Sequence, residues 1–360
     1  MKVFYVILAS KKNCHSAAIN RIKLFQTGLK KKGVECNIVY VNILPFRYIG
    51  TLYSLFLLIL YLLIFLLQKK KAVFIFYGES IMFRIFPILR KFNKIIVERN
   101  EFPTYMISQD VLSYRQTKFY HDFEKALKYC DGFITCSCEL EKYYSCFLDR
   151  RCSSLVSPLI VDVNFFNRKK TELVDKISYC GDWGNNKDGV SILIRAFARI
   201  HSKHPNMRLS LIGGSTRVVE EQLIFLCRSL NIIDSVDFVR RISHEQMPDY
   251  LCNSALLALA RPNNKQAAGG MPSKVAEYLA TKRPVVLTNV GELHKYLKDG
   301  YNCYMAEPDS VESFAEKLDQ ALTDPDSAII GYRGYQTVLQ FDVLAQSKLL
   351  LDYLKSLTNV

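Results

Sequence analysis

The segment Arg261–Glu292, with the sequence RPNNKQAAGGMPSKVAEYLATKRPVVLTNVGE, predicts the end of a strand, a turn, a helix and a second strand. The apolar run Leu256–Ala260 just before it has the length of a strand. Gly269-Gly270 lets the backbone turn and approach a ligand closely. Pro272 suits the first helical position, which predicts a helix over Ser273–Thr281. Strands that alternate with helices in this way are typical of α/β proteins.

The start of this predicted helix suits an anionic ligand such as a diphosphate. A helix N-terminus presents unpaired N–H groups and the positive end of the helix dipole. Lys274 lies in the first turn, and Glu277, three residues later, shares its face of the helix. The cation suits phosphate, and the carboxylate can accept hydrogen bonds from two sugar or ribose hydroxyls. The alternative is an ordinary Lys–Glu surface pair beside a turn.

The stretch PSKVAEYLATKRPVV resembles the donor-binding signature of GT-B glycosyltransferases of the large retaining family 4. In that family a Glu at the start of this helix holds the nucleotide ribose, and two glutamates often stand eight positions apart. The second of these positions is Glu277 here and the first is Gly269, which leaves open which group faces the transferred sugar. The PSK variant also resembles relatives that build bacterial surface polysaccharides. The resemblance implies an α/β fold of the GT-B type, with two Rossmann-like, doubly wound domains that face each other across a cleft.

The same resemblance implies a set of residues that bind the donor diphosphate. The family uses a Gly-Arg pair and a Lys in a loop of the second domain; Gly181 and Lys187 match, and Asp182 replaces the arginine. Arg261, after a later strand, is predicted to supply the guanidinium, which binds phosphate in a bidentate way. The predicted donor-binding residues are Gly181, Lys187, Arg261, Gly269, Gly270, Lys274 and Glu277. Lys187 and Lys274 are also predicted to be catalytic, because they stabilise the charge that develops on the leaving diphosphate.

Chain length and cysteine usage limit the architecture and the chemistry. A chain of 360 residues is too long for one compact core and fits two domains. Its eleven cysteines form no framework, which favours reduced thiols, and no second pair at zinc-site spacing follows Cys136-Ser137-Cys138. We therefore predict neither a metal nor another cofactor. The predicted domains are an acceptor-binding domain (1–167), a nucleotide-sugar-binding domain (168–342) and a C-terminal helix that crosses back to the first domain (343–360).

Positive charge is concentrated in the first half of the chain. Residues 1–165 contain 24 Lys and Arg against 12 Asp and Glu, a balance of +12 out of a total of +14. We expect this basic half of the chain to contact an anionic surface, either a membrane leaflet or a nucleic acid. No helix-turn-helix, zinc-finger or ribonucleoprotein signature is present, so a nucleic-acid partner is not predicted. We expect a cytoplasmic protein, peripheral on the inner face of the cell membrane.

Tyr48–Leu67 is a run of twenty residues without a charge, flanked by Arg47 and by Lys69–Lys71. Its length suits a transmembrane helix. However, a span here would separate the first two strands from the strands with which they must pair. We favour a helix buried against the sheet; a helix in the membrane interface is the alternative.

Two carboxylates lie at the carboxyl end of a strand of the first half. The strand predicted over Lys94–Glu98 continues into Arg99-Asn100-Glu101, and ligands bind at the carboxyl ends of parallel strands. In relatives this position faces the reacting sugar and the acceptor, so Glu98 and Glu101 are predicted to be catalytic. The alternative is a polar loop with a helix cap. His121-Asp122 resembles an acid/base pair, but adjacent residues on a helix do not face each other, so we expect a surface histidine.

The predicted function is therefore transfer of a sugar from a nucleotide-sugar donor, with retention, to a hydroxyl of a glycan or polyprenyl-diphosphate-linked acceptor. The pathway implied by the resemblance is surface polysaccharide biosynthesis. A nucleotide-sugar epimerase is one alternative; it would need a clear acid/base pair in the cleft, and no such pair stands out. A non-catalytic basic protein that docks on membranes is another, and it would leave the Gly-Gly, Lys and Glu arrangement unexplained.

Overall fold

The computed structural model describes residues 1–8, 16–41, 59–67, 72–79, 81–108, 111–167 and 173–358, without the side chains of residues 185 and 186. The chain divides into two compact units: residues 1–160 with 343–360, and residues 161–342. Residues 161–167, which the sequence assigned to the first domain, lie in the second unit. The reason is local: Val161 forms a β-bridge with Asp342, and its N–H donates to the carbonyl of Phe341 at 3.0 Å.

The first unit contains a parallel sheet in the order β2-β1-β3-β4-β5-β6. Its strands are β1 (Lys2–Leu8), β2 (Glu35–Val41), β3 (Ala72–Tyr77), β4 (Lys94–Arg99), β5 (Gly132–Thr135) and β6 (Ser153–Val156). Its helices are α1 (Ala17–Lys31), α2 (59–66), α3 (Phe86–Leu89), α4 (Thr104–Ile107), α5 (Tyr114–Ala126), α6 (Cys138–Ser145) and, at the end of the chain, α15 (Val343–Thr358).

Helices α1 and α15 cover one face of this sheet. Helix α1 begins where the Ser16 side chain caps the Ile19 N–H, and it ends with Lys30 and Lys31 in its last turn. Both features complement the helix ends. Gly28 allows α15 to approach closely, because a Cβ there would lie 2.0 Å from the Ser347 hydroxyl. The core of the first unit therefore includes the last helix of the chain.

Helix α2 is the described part of the apolar run predicted over 48–67; residues 48–58 lie outside the described residues. Its Phe65 is buried, with its ring 4.6 Å from that of Phe74 and 6.2 Å from that of Phe76. Other apolar side chains of the same helix are exposed, so only one side of α2 packs on the sheet. Among the described residues, no helix combines the length and the apolar character that a membrane crossing needs.

The second unit contains another parallel sheet, in the order β12-β11-β10-β7-β8-β9. Its strands are β7 (Val174–Asp182), β8 (Arg208–Gly214), β9 (Val236–Val239), β10 (Ser254–Leu259), β11 (Val285–Thr288) and β12 (Tyr304–Ala306). Its helices are α7 (Asn185–Asp188), α8 (Val190–His201), α9 (Arg217–Ser229), α10 (Met247–Cys252), α11 (Lys265–Gly269), α12 (Ser273–Ala280), α13 (Val311–Thr323) and α14 (Ser327–Val338). Two parallel sheets with surrounding helices confirm the predicted pair of Rossmann-like domains.

Helix α14 has no counterpart among the predicted elements. It contains Gly331 and Gly334, which disfavour a helix in an isolated sequence. In the fold these glycines permit close packing: a Cβ at 331 would lie 2.7 Å from the Lys282 carbonyl, and one at 334 would lie 2.8 Å from the Asn302 carbonyl. Tertiary contacts therefore stabilise a helix that local propensity does not indicate.

Candidate functional site

The strand order of the second unit defines where a ligand can bind. From β7 the chain continues to β8 and β9 on one side, and β10 then returns to the other side of β7. The carboxyl ends of β7 and β10 thus flank a topological switch point, the usual ligand site of open parallel sheets. Gly181 lies at the end of β7 and Arg261 just after β10. The topology brings these two predicted residues to the same edge.

Helix α12 begins at Ser273, and its geometry corrects two predictions. Pro272 is the extended N-cap residue of α12 and not its first helical residue. Gly269 ends the short helix α11, and Gly270 has an extended backbone with φ −96°. The expected Gly-Gly turn is therefore absent, because a short helix fills this part of the chain. Gly270 instead permits close contact: a Cβ there would lie 2.9 Å from the Gln266 carbonyl.

Lys274, in the first turn of α12, forms an ion pair with Asp188 of α7. The Lys274 Nζ lies 2.8 Å from Asp188 Oδ2, and the Tyr179 hydroxyl donates to the same oxygen at 2.7 Å. The Arg261 Nε lies 3.9 Å from Asp188 Oδ1 and donates to the Lys187 carbonyl at 3.1 Å. The predicted phosphate-binding residues Arg261 and Lys274 therefore lie on either side of one carboxylate that the sequence did not indicate. Lys187 joins them through its main-chain carbonyl, and the residue itself is exposed.

Burial determines the electrostatics of this cluster. The side chains of Arg261 and Asp188 are 3% and 1% exposed. Burial opposes ionisation of Asp188, but Lys274, Tyr179 and Arg261 outweigh it, so its pKa lies below the usual range. Lys274 and Arg261 together carry one more charge than the carboxylate that they share. Such a partly desolvated, preorganised group of cations attracts an anion more strongly than the same charges in water.

Gly181 is required for the position of Lys274. A Cβ at 181 would lie 2.2 Å from Lys274 Cε and 2.5 Å from the Tyr179 hydroxyl oxygen. The lysine side chain therefore crosses directly over the glycine at the end of β7. Gly181 and Lys274 are thus neighbours, and a side chain at residue 181 would displace the lysine.

Glu277 lies one turn further along α12 and is half-buried. Burial raises its pKa above the ordinary value, while the charges of Lys274 and His244 lower it in part. His244 was not predicted to belong to the site; its exposed ring is 4.5 Å from the ring of Phe165. No spacing in the sequence links these positions, because Phe165, His244 and Glu277 come from three separate elements. Together they place an aromatic pair close to a carboxylate.

The two carboxylates predicted in the first unit lie in different environments. Glu98 is fully buried and accepts from Arg21 Nε at 2.6 Å and from Asn100 Nδ2 at 3.1 Å. Glu101 is exposed, and its main-chain carbonyl accepts from the Tyr144 hydroxyl at 3.1 Å. The geometry favours a positioning role for Glu98 and leaves the Glu101 carboxylate at the surface. The catalytic role of both residues stays a prediction.

His121 pairs with Glu124 and not with its neighbour Asp122. Its Nδ1 lies 3.1 Å from Glu124 Oε2, and its side chain is half-exposed. Glu124 also accepts from the hydroxyls of Tyr105 and Tyr143, at 3.0 and 2.7 Å. An acid/base pair of this kind is what the epimerase alternative requires, so that alternative needs an experimental test.

Known proteins show the same domain and the same fold. Residues 167–337, slightly less than half of the chain, match the family model described as glycosyl transferases group 1. The structure of HepE from Anabaena in complex with UDP and glucose has a TM-score of 0.77 at 13% identity, covering 99% of this chain and 100% of that one. Sucrose-phosphate synthase from Thermosynechococcus elongatus has a TM-score of 0.75 at 16% identity, covering 99% of both chains. A glycosyltransferase from Rickettsia africae has a TM-score of 0.75 at 14% identity, covering 99% and 98%.

No curated protein matches the sequence significantly. At identities this low, the structural similarities show the fold, which is GT-B. The match over residues 167–337 adds the group 1 glycosyltransferase domain to that fold. The fold and this domain together define a glycosyltransferase.

Proposed function

We propose that the protein transfers a sugar from a nucleotide-sugar to a hydroxyl of a glycan or lipid-linked acceptor, with retention of the anomeric configuration. The observation that supports this most directly is the cluster of Lys274, Arg261 and Asp188 at the switch point, with Glu277 one helical turn away. A cluster of cations beside a half-buried carboxylate matches the two chemical parts of a nucleoside diphosphate, its phosphates and its ribose.

The donor diphosphate would bind to Lys187, Lys274 and Arg261 at the N-terminus of α12. Negative charge grows on the leaving phosphate oxygen as the bond between sugar and phosphate breaks, and cations fixed at that oxygen lower the barrier. Glu277 would accept hydrogen bonds from the ribose hydroxyls. HepE is known in complexes with UDP and with UDP-glucose, so uridine is the first base to test. The proposed reaction requires no metal ion.

The acceptor oxygen would form the new bond to the anomeric carbon as the bond from that carbon to the donor diphosphate breaks, and the proton of the hydroxyl would pass to the Glu101 carboxylate. Retention rests on the resemblance of the PSKVAEYL segment to retaining relatives. We assign Glu101 to the acceptor hydroxyl, because its carboxylate is exposed after β4. Glu98 would act as a positioning residue through Arg21, which also donates to the Ser157 carbonyl at 2.7 Å.

Charge supports an acceptor at a membrane. The first unit contains 26 Lys and Arg against 12 Asp and Glu, a net charge of +14, whereas the second contains 22 of each and is neutral. An acceptor linked to a polyprenyl diphosphate is held at an anionic surface, which a basic unit approaches favourably. We therefore propose a peripheral location on the cytoplasmic face of the cell membrane and a role in surface polysaccharide biosynthesis.

The donor site can be tested by thermal shift with a panel of nucleoside diphosphates and nucleotide-sugars, with and without a metal chelator. We expect one nucleotide to stabilise the wild type by mass action. Lys274→Ala and Glu277→Ala should reduce that shift. Lys298→Ala is the matched control, since this exposed lysine of the second unit lies outside the cluster. If no nucleotide shifts the wild type, the proposal is wrong.

A second experiment separates transfer from epimerisation. The stabilising nucleotide-sugar is incubated with and without a lipid-linked or soluble glycan acceptor, and the products are examined by NMR. We expect a new glycosidic bond with the anomeric configuration of the donor, formed only when acceptor is present. An epimerised donor formed without acceptor would support the alternative enzyme, and His121→Ala would then test the pair in the first unit.

A further inference from the structure

The first unit carries an exposed apolar surface that the donor site does not explain. On α2 and the turn that follows, the side chains of Ile59, Leu63 and Leu67 are 50%, 54% and 81% exposed. Their spacing of four residues places them on one side of the helix. Phe65 of the same helix is 1% exposed and packs on the sheet. The helix thus has a buried side and an apolar side that faces solvent.

A second element extends this apolar surface. Ile88 of α3 and Phe92, just beyond it, are also exposed. The rings of Phe65 and Phe86 both contact Phe76 of β3, at centroid distances of 6.2 and 4.8 Å. Because both neighbours pack on the same side chain of β3, α2 and α3 cover the same face of the sheet. The described apolar surface therefore consists of 59–67 together with 88–92.

The sequence around these two elements is strongly basic. Residues 47–94 contain eight Lys and Arg and a single acidic residue, Glu79. Arg84 and Lys91, which lie beside the apolar side chains of the second element, are exposed. Apolar side chains bordered by basic ones are the pattern that binds the interface of an anionic bilayer. The same positive charge would oppose pairing of this surface with a second copy of the chain, because like charges would be brought together.

We propose that the surface formed by 59–67 and 88–92 docks on an anionic lipid bilayer, with its leucine, isoleucine and phenylalanine side chains in the interface. This inference rests on the proposed location at a membrane and adds the surface that produces it. The docked surface belongs to the first unit, which also carries Glu101, so docking would hold the proposed acceptor-binding unit at the bilayer.

The test is co-sedimentation of the whole protein with vesicles of phosphatidylcholine alone or with added phosphatidylglycerol. We expect binding to the anionic vesicles, and at least about tenfold weaker partitioning for the double variant Leu63→Ser/Leu67→Ser and for Phe92→Ser, because exposed apolar area is lost. The control Val218→Ser/Phe225→Ser removes two exposed apolar side chains from α9 of the second unit and should bind as the wild type does.

Each outcome decides the proposal. The proposal is overturned if the wild type does not bind anionic vesicles, or if the variants bind them as well as the wild type does. Equal binding to both vesicle types would show that charge does not contribute. A dimer in light scattering that Leu63→Ser/Leu67→Ser abolishes would assign the surface to a second copy. The nucleotide-induced thermal shift, measured on every variant, stays at the wild-type value if only docking is lost. The failure of docking is thereby distinguished from a failure of the donor site.

Discussion

Lys274 reaches Asp188 only by crossing over Gly181. The absence of a side chain at residue 181 therefore determines where the Lys274 ammonium lies. The sequence predicted Gly181, Lys187, Arg261 and Lys274 from spacing and resemblance, and the topology brings them together at one sheet edge. No sequence pattern identified Asp188, because its partners Tyr179, Arg261 and Lys274 lie on other elements. A buried carboxylate that holds two cations is visible only after folding.

Gly181→Ala tests this arrangement. The added methyl group would displace the Lys274 side chain, so we expect the nucleotide-induced thermal shift to fall by at least half while the fold persists. Gly214→Ala is the matched control, because a Cβ there meets nothing within 4 Å. Equal nucleotide shifts for both variants would contradict the role of the glycine at 181.

The pH dependence of the free energy of unfolding provides a second test at a single residue, Glu277. Its folded pKa is raised, so the folded state binds a proton more tightly than the unfolded state. The free energy of unfolding therefore falls as pH rises from the ordinary Glu value of 4.5 through the folded pKa, and the loss persists above it.

Glu277→Gln removes this ionisation. We expect a higher free energy of unfolding than for the wild type at neutral pH, and equal values well below the ordinary Glu pKa. Trp183, the single tryptophan, is buried in the same unit and reports urea unfolding by fluorescence. Nucleotide binding should weaken at the same time, since a carboxylate has been lost. A variant that is less stable at neutral pH would show that Glu277 is mainly structural.

At the scale of elements, strands were the easiest features to predict. The sequence also predicts strands over Glu35–Val41 and Ala72–Tyr77, and β2 and β3 have these bounds, because short apolar runs between polar turns have few alternatives. The sequence likewise predicts a helix over Ala17–Lys32 that ends at Gly33, and α1 (Ala17–Lys31) matches it closely. Its two ends are encoded locally, since Ser16 caps the start and Gly33 follows the end with a positive φ. By contrast, the sequence also predicts a helix over His294–Lys298, whereas the structure has only a 3-10 turn at Leu293–Lys295. Five residues are too few for local signals to specify a helix, so tertiary contacts decide.

The packing of α15 on the first unit provides the element-scale prediction. Leu350 is buried in that core, whereas its neighbour Leu349 is 41% exposed. We expect Leu350→Ala to lower the free energy of unfolding of the first unit by about 2–5 kcal/mol, and Leu349→Ala to lower it by less than about 1 kcal/mol.

Hydrogen exchange of the α1 and α15 amides is the suitable measurement, because Trp183 lies in the other unit. Faster exchange in Leu350→Ala, and near wild-type exchange in Leu349→Ala, would support the packing of α15 in this core. Similar exchange in both variants would contradict it.

Over the whole molecule, charge separates two kinds of binding. The first unit carries the entire net charge of +14, and the second unit is neutral. The proposed membrane contact depends on exposed charges. The proposed diphosphate contact includes the exposed Lys187 but depends mainly on Arg261 and Lys274, which are buried or largely buried. Salt screens exposed charges much more than buried ones.

High salt should therefore weaken binding to the membrane and leave binding of the nucleotide-sugar donor largely unchanged. Raising the ionic strength from about 0.1 M to about 1 M shortens the Debye length from about 10 Å to about 3 Å. We expect binding to anionic vesicles to weaken at least about tenfold over this range, as several basic residues lose their attraction to the leaflet. The nucleotide-induced thermal shift should change far less, because the cations of that site are partly desolvated. A parallel loss of both signals would mean that the diphosphate is held by exposed charges, and the buried cluster at Asp188 would not be the donor site.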